Sequence, residues 1–167
     1  MENINNTPFA VFDFDGTIAR TDLLIMEIYN RIAPDLSLKQ LSHEEINELR
    51  DMPTKKALQK LSIYWFKIPT LWQKITDGLA ERIEDIDLQP GMVNLLNHLE
   101  NRGFKYGIVS SNSKENIQSV LNKHQMPEPI FIGSSSALFS KHNVYKKISE
   151  AQGYDFNKSI YVGDETR

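Results

Sequence analysis

Residues 9–17 read Phe-Ala-Val-Phe-Asp-Phe-Asp-Gly-Thr, and the rest of the chain can be interpreted from this segment. Its apolar and aromatic start is typical of a buried β-strand. Asp13 and Asp15 follow two residues apart, which in an extended chain directs both side chains to the same side. Gly16 then permits a sharp turn or a close approach of the backbone to a ligand. Because two carboxylates at the end of a buried strand are costly without a cation beside them, the segment predicts a divalent metal site.

A calcium-binding loop is the first alternative for an Asp-x-Asp-Gly sequence. A loop of the EF-hand type needs a further oxygen ligand at its fifth position and a glutamate at its twelfth. Counted from Asp13, these two positions hold Thr17 and Leu24, so this interpretation fails.

The same residues, Asp13-Phe-Asp15-Gly16-Thr17, resemble the first motif of the haloacid dehalogenase-like hydrolases, a superfamily made up mostly of phosphatases and other phosphotransferases. The resemblance implies that Asp13 is a nucleophile that forms an aspartyl-phosphate. It implies that Asp15 is the general acid and base, and that its backbone carbonyl is a metal ligand. Val162-Gly163-Asp164-Glu165 resembles the acidic metal motif of the family, so Asp13, Asp15 and Asp164 are expected to hold Mg²⁺, with help from Glu165.

Two further features resemble the phosphate-binding motifs of this family. Ser110 follows the strand-like segment Lys105–Val109, and we expect its hydroxyl to bind a phosphoryl oxygen, with the backbone of Ser111 and Asn112 as weaker candidates beside it. A helix that begins near Ser113 would add free backbone amides. Lys141 is expected to supply a fixed positive charge, although the chain has Lys-His where the family often has Lys-Pro, and Lys146 remains an alternative.

The order of the predicted elements favours an α/β fold. Segments near residues 9–12, 105–109, 130–133 and 159–162 have strand patterns, and helical patterns separate the last three, which predicts a Rossmann-like parallel sheet with helices on both faces. Ligands of such sheets bind at the carboxyl ends of the strands. Ser42 and Glu45 form a capping-box sequence, and Thr21 and Ser113 are predicted helix caps.

The region from about Arg20 to Leu88 is predicted to be entirely helical. We therefore divide the chain into an α/β core, residues 1–19 and 89–167, and a helical insertion, residues 20–88. This layout resembles family members with a C1-type cap, which include phosphoglycolate phosphatase and β-phosphoglucomutase, and such a cap would close over the site. Tyr64, Trp65, Phe66 and Trp72 are expected in the core of the insertion. Arg50 and Lys55 are candidates for substrate specificity, although solvated helix-end charges are the more common role of such residues.

Composition limits the classes of function. The chain has 167 residues, a formal net charge of −3 and no cysteine. Without a basic stripe, nucleic acid is not an expected partner. The first residues have neither a basic region nor a long apolar segment, so we expect no signal peptide, no membrane association and a cytoplasmic location. The chain ends after the fourth strand, where relatives usually continue, which suggests a truncated carboxyl end. Nothing indicates an oligomeric state.

These observations predict a Mg²⁺-dependent phosphatase that hydrolyses a small phosphorylated metabolite. A β-phosphoglucomutase-like sugar phosphomutase uses the same residues, and a non-catalytic phosphate- or partner-binding protein is the alternative from another class. The two acids of the first motif argue against a non-catalytic protein, because a site without catalytic activity would have no need for two mutually repelling carboxylates. Phosphoglycolate, a sugar phosphate, a nucleotide and a damaged metabolite all remain open as substrates.

Overall fold

Residues Phe9–Phe12 form the first strand, β1, and in the computed structural model this strand lies inside a four-stranded parallel sheet. The structure describes residues 9–50, 52, 54–134, 144, 146–148, 151, 153 and 158–164. The other strands are β2 (Lys105–Ser110), β3 (Ile132–Ser134) and β4 (Ser159–Val162). Their spatial order is β3-β2-β1-β4, so β1 pairs with β2 on one side and with β4 on the other. The predicted α/β fold is confirmed.

The helices follow the predicted alternation. Among the described residues, four helices lie between β1 and Leu88: α1 (Asp22–Ile32), α2 (His43–Arg50), α3 (Thr54–Lys60) and α4 (Ile68–Ala80). Short 3-10 turns occur at Pro34–Leu36, Trp65–Lys67 and Ile83–Asp85. Two more helices flank β2, namely α5 (Met92–Asn101) and α6 (Lys114–Lys123). Residues 144, 146–148 and 151 are also helical. We call α1–α4 the helical insertion.

Apolar burial explains the position of the sheet. Phe9, Val11 and Phe12 are at most 2% exposed, which agrees with a strand covered on both faces. The main core cluster continues from Phe12 and Ile108 into the helical insertion, where α1 packs against α4 through Ile28 and Leu79 and their neighbours. The insertion and the sheet therefore share one apolar core in this conformation.

Of the three helix caps predicted from the sequence, two are present and one is not. The Ser42 amide donates to Glu45 Oε2 at 3.0 Å and the Glu45 amide to Ser42 Oγ at 3.3 Å, so the predicted capping box is present. Ser113 accepts the Asn116 amide at 3.1 Å and caps α6 as predicted. Thr21 precedes α1 but makes no side-chain capping bond, so that prediction was wrong.

Three aromatic side chains predicted to be in the core of the insertion are exposed. Tyr64, Trp65 and Phe66 are 66%, 81% and 58% exposed. They lie at the 3-10 turn before α4, where three successive residues cannot all point inward, and the apolar positions there are taken by Ile63 and Leu71. Tyr64 and Phe66 stack on each other, with ring centroids 5.5 Å apart. Trp72 is partly buried against the core as predicted.

Two short segments connect the insertion to the sheet. Ala19 and Leu88 form an antiparallel bridge, the Arg20 amide donates to Asp87 O, and the Gln89 amide donates to Ile18 O, both at 2.8 Å. The chain therefore leaves and re-enters the core side by side, directly after the first motif. Within the described part of the chain, no helix is both long and apolar enough to cross a bilayer.

Candidate active site

Asp13 begins the site, at the carboxyl end of the central strand β1. Its backbone amide continues the ladder with β4 by donating to Val162 O at 2.8 Å. One carboxylate oxygen, Oδ1, accepts the Phe14 amide at 2.8 Å, and the residue is only 3% exposed. A buried carboxylate needs such donors or a cation to stay charged. From β1 the chain continues to β2 and β3 on one side of the sheet, and it then returns to β4 on the other side. Ligands of open parallel sheets bind at such a switch point, at the carboxyl ends of the strands.

Asp15 lies in the turn that follows β1 and is held by three side chains from two segments, the start of the insertion and the end of β2. Oδ1 accepts the Thr21 hydroxyl at 2.9 Å and the Asn112 side-chain amide at 3.1 Å. Oδ2 accepts the Ser110 hydroxyl at 3.2 Å. The turn itself is tight, because the Phe14 carbonyl accepts the amides of three successive residues, 17, 18 and 19. These hydrogen bonds fix the orientation of the carboxylate between the turn after β1 and the loop after β2.

Asp164 follows β4 and lies against the turn of the first motif. Its amide donates to Thr17 Oγ1 at 3.0 Å, and the Thr17 hydroxyl lies 3.5 Å from Asp164 Oδ1. Gly16 has a φ of +75°, and a Cβ atom placed there would lie 3.0 Å from Asp164 Cγ and closer still to Oδ2. A Cβ atom on Gly163 would lie 3.5 Å from Asp13 Cβ. The carboxylates of the first and last motifs therefore share one small region, which only glycine at position 16 leaves open.

Ser110 ends β2 on the other side of β1 and is fully buried. Its Oγ accepts the Asn112 amide at 3.1 Å, which bends the chain from the strand toward α6. Ser111 is also buried, and its carbonyl accepts the Trp72 indole N–H at 2.7 Å. The loop that follows β2 is thus fixed by hydrogen bonds within the loop and by a hydrogen bond from Trp72 of the helical insertion.

The donor set suits a hard divalent cation. Among the described residues, no group of three or more His, Cys, Asp or Glu side chains is placed to hold an ion. The carboxylates of Asp13 and Asp164, which follow the paired strands β1 and β4, and the Asp15 carbonyl offer only oxygen ligands. Mg²⁺ is commonly held by one or two carboxylates with several waters, whereas Zn²⁺ prefers nitrogen and sulfur. The residues present therefore fit Mg²⁺.

Several predicted residues fall outside this cluster or outside the described residues. Lys141 and Glu165 lie outside the described residues, as does the side chain of Arg50 at the end of α2. Lys146 is an exposed helical residue, and Lys55 is exposed near the start of α3.

Three residues that sequence analysis had not assigned to the site contact it. Thr21 binds Asp15 instead of capping α1, and the Asn112 side chain does the same, where only its backbone had been considered. Gln89 Nε2 donates to the Gly16 carbonyl at 2.9 Å from the segment that re-enters the core. Only Asn112 could have been found from the sequence, because it lies two residues after Ser110. The contacts of Thr21 and Gln89 depend on the tertiary structure.

Comparisons with known proteins agree with this geometry. A sequence model of the haloacid dehalogenase-like hydrolases matches residues 10–167. A phosphoglycolate phosphatase from Synechococcus elongatus is 27% identical over 159 residues, which are 94% of this chain and 74% of that protein.

Solved structures share the fold at lower sequence identity. A haloacid dehalogenase-like hydrolase from Bacteroides fragilis has a TM-score of 0.76 at 18% identity, over 96% of this chain and 80% of that one. CbbY from Rhodobacter sphaeroides, in complex with xylulose-1,5-bisphosphate, has a TM-score of 0.68 at 16% identity, over 93% and 76% of the two chains. The family match over nearly the whole chain shows that this protein belongs to the haloacid dehalogenase-like hydrolases and is a hydrolytic enzyme.

Proposed function

We propose that this enzyme is a Mg²⁺-dependent phosphatase that hydrolyses a small phosphomonoester through an aspartyl-phosphate on Asp13. The observation that supports this most strongly is the convergence of Asp13, Asp15, Ser110 and Asp164 at the carboxyl ends of three adjacent strands. Similarity to phosphoglycolate phosphatase, and to a structure that holds a sugar bisphosphate, supports a small phosphorylated metabolite as substrate.

In the first half-reaction, an Asp13 carboxylate oxygen attacks phosphorus. A bond forms between this oxygen and phosphorus, the bond from phosphorus to the leaving oxygen breaks, and Asp15 gives that oxygen a proton. In the second half-reaction, Asp15 takes a proton from water, which attacks the phosphorus and releases Asp13 and inorganic phosphate. Burial of Asp13 limits competing solvent, and the Phe14 amide keeps one of its oxygens oriented.

Phosphate recognition is assigned to the loop after β2. The Ser110 hydroxyl and the neighbouring Ser111 lie beside Asp15, and α6 begins three residues after Ser111. Hydrogen-bond donors aimed at the transferring oxygens matter in phosphoryl transfer because the reaction spreads charge over them. Lys141 is proposed to add a positive charge, with Lys146 as the alternative.

Asp13, Asp164 and the Asp15 carbonyl are proposed to hold Mg²⁺. The ion would supply positive charge that offsets repulsion between a carboxylate nucleophile and an anionic phosphate. The domain division at residues 20 and 88, and a role for Arg50 or Lys55 in substrate choice, belong to the same proposal. So does a cytoplasmic location, with which a cysteine-free sequence is compatible.

The test is hydrolysis of p-nitrophenyl phosphate by the full chain with Mg²⁺. We expect turnover that EDTA abolishes and added Mg²⁺ restores, and we expect Asp13→Asn to be inactive because an amide is not a nucleophile. Asp77→Asn, an exposed change in α4, is the matched control and should keep wild-type turnover.

Other outcomes would identify a different function. Turnover that survives Asp13→Asn would remove Asp13 as the nucleophile. Phosphoryl transfer to a sugar phosphate instead of water would favour a mutase. Binding of aluminium fluoride without any need for Mg²⁺, together with no turnover, would favour a phosphate-binding protein.

A further inference from the structure

Two buried asparagines connect the helical insertion to the proposed acid–base residue. Asn116 on α6 donates from Nδ2 to the Thr76 carbonyl of α4 at 2.8 Å and to Asn112 Oδ1 at 3.0 Å. Asn112 in turn donates from Nδ2 to Asp15 Oδ1 at 3.1 Å. Asn112 is fully buried, and Asn116 and Thr76 are 5% and 7% exposed. These contacts form a continuous chain from α4 to Asp15.

Backbone groups fix the orientation of both side-chain amides. The Ser113 amide donates to Asn112 Oδ1 at 2.8 Å, so this atom must be the oxygen and the nitrogen must face Asp15. The Thr76 carbonyl can only accept, so the nitrogen of Asn116 must face α4. Neither amide can flip without placing like groups together, and unpaired buried polar groups are costly. Donation therefore runs outward from Asn116 both ways, to the Thr76 carbonyl of α4 and, through Asn112, to the Asp15 carboxylate.

A second contact holds the same two parts together. Trp72, one turn before Thr76 on α4, donates its indole N–H to the Ser111 carbonyl. Ser111 lies between Ser110 and Asn112, the two residues of this loop that donate to Asp15. Thus α4 contacts the loop between the two residues that hold the carboxylate, and it contacts α6 directly after the loop.

We propose that Asn116 and Asn112 are positioning residues, through which the docking of α4 onto the core sets the orientation of the Asp15 carboxylate. The inference rests on the proposed phosphatase function, because it concerns the acid–base residue of that reaction. When α4 is docked, Asn116 holds Asn112 Oδ1, and Asn112 holds its N–H on Asp15. When α4 moves away, Asn116 loses its carbonyl partner and the restraint on Asn112 weakens.

The central experiment compares Asn116→Ala with the wild type. Asn116 does not contact Asp15, so this variant removes the connection to α4 without removing the hydrogen bond from Asn112 to Asp15. We expect kcat to fall about tenfold, a part of the roughly 10²- to 10⁴-fold effect of a positioned acid–base group, with KM for p-nitrophenyl phosphate little changed.

Two control variants separate this role from general stability. Thr76→Ala removes the threonine side chain but keeps the carbonyl that Asn116 binds, so its kcat and KM should match those of the wild type. Asn30→Ala removes a comparable pair of hydrogen bonds, with the Leu41 backbone at 2.7 and 2.9 Å, elsewhere in the insertion. It should lower the thermal midpoint while kcat and KM stay at their wild-type values. Asn116→Ser provides a milder substitution if the alanine variant does not fold.

A second measurement does not depend on activity. In ¹H–¹⁵N spectra, the side-chain amide signals of Asn112 should move in Asn116→Ala and in Asp15→Asn but not in Thr76→Ala. An unmoved Asn112 signal, or a wild-type kcat in a folded Asn116 variant, would overturn the positioning role. An inactive wild type would instead overturn the proposed function, so the two failures are distinguishable.

Discussion

Gly16 shows how one residue without a side chain shapes the candidate active site. Its φ of +75° lies in the left-handed region, and the space of its missing Cβ is filled by the Asp164 carboxylate. We predict that Gly16→Ala displaces Asp164, lowers kcat by about 100-fold or more and weakens the apparent Mg²⁺ affinity. The positive φ adds a stability cost of about 1–2 kcal/mol. Turnover of p-nitrophenyl phosphate across a Mg²⁺ titration checks the prediction.

A second glycine provides the matched control for this prediction. Gly91 has a φ of +84°, but a Cβ atom there would meet nothing within 4 Å. Gly91→Ala should therefore carry the same backbone strain and lose stability while keeping the wild-type Mg²⁺ dependence. If both variants lose activity equally, backbone strain rather than contact with Asp164 accounts for the effect.

At the scale of elements, α6 serves both the site and the connection to the insertion. Its first turn is capped by Ser113 directly after the loop that follows β2, and its last turn contacts the 3-10 turn Ile83–Asp85. Lys123 Nζ lies 2.6 Å from Glu84 O and 3.1 Å from Ile86 O. One helix thus fixes the loop that carries Ser110 and the segment through which the chain returns from the insertion.

We predict that Lys123→Met lowers the free energy of unfolding by about 1–2 kcal/mol, because the carbonyls of the returning segment lose a charged donor. Methionine keeps most of the apolar stem, so the loss reports the ammonium group. Urea unfolding measures the change. Lys114→Met, an exposed change at the other end of α6, should stay within about 0.5 kcal/mol. Equal effects of the two substitutions would contradict the prediction.

Local patterns predicted the elements better than their contacts. The bounds of β4 and the cap of α6 could be predicted from the sequence because both depend on neighbouring residues. Thr21 has the same local signal as Ser113, yet its hydroxyl binds Asp15, a partner that the tertiary fold brings near. In the turn before α4, a count of apolar residues could not reveal which aromatic side chains lack room inside.

At the scale of the whole molecule, register explains why the distant motifs meet. Phe12 pairs with Ile108 on one side and with Val162 on the other, so the residues that follow all three strands lie at one edge of the sheet. This convergence could be predicted from parallel topology alone. The links from α4 and from Gln89 to that edge could not, because they depend on how the insertion packs.

Two buried tyrosines should make the stability of the whole fold sensitive to alkaline pH. Burial raises the pKa of Tyr106, whose hydroxyl donates to the Pro127 carbonyl, and the negative charges of Glu100 and Glu128 add to this shift. Burial, and then the charge of Glu45, raises the pKa of Tyr29, which donates to Lys39 O.

In the unfolded chain both phenols ionise near their ordinary pKa of about 10, so above that pH the unfolded state binds fewer protons than the folded state. The stabilisation is complete below pH 10 and is lost as pH rises toward the raised values. We predict that the last phase of the rise in absorbance at 295 nm coincides with loss of the far-ultraviolet circular dichroism signal. Tyr106→Phe should reduce the last phase, and ionisation of all tyrosines near pH 10 without unfolding would contradict the prediction.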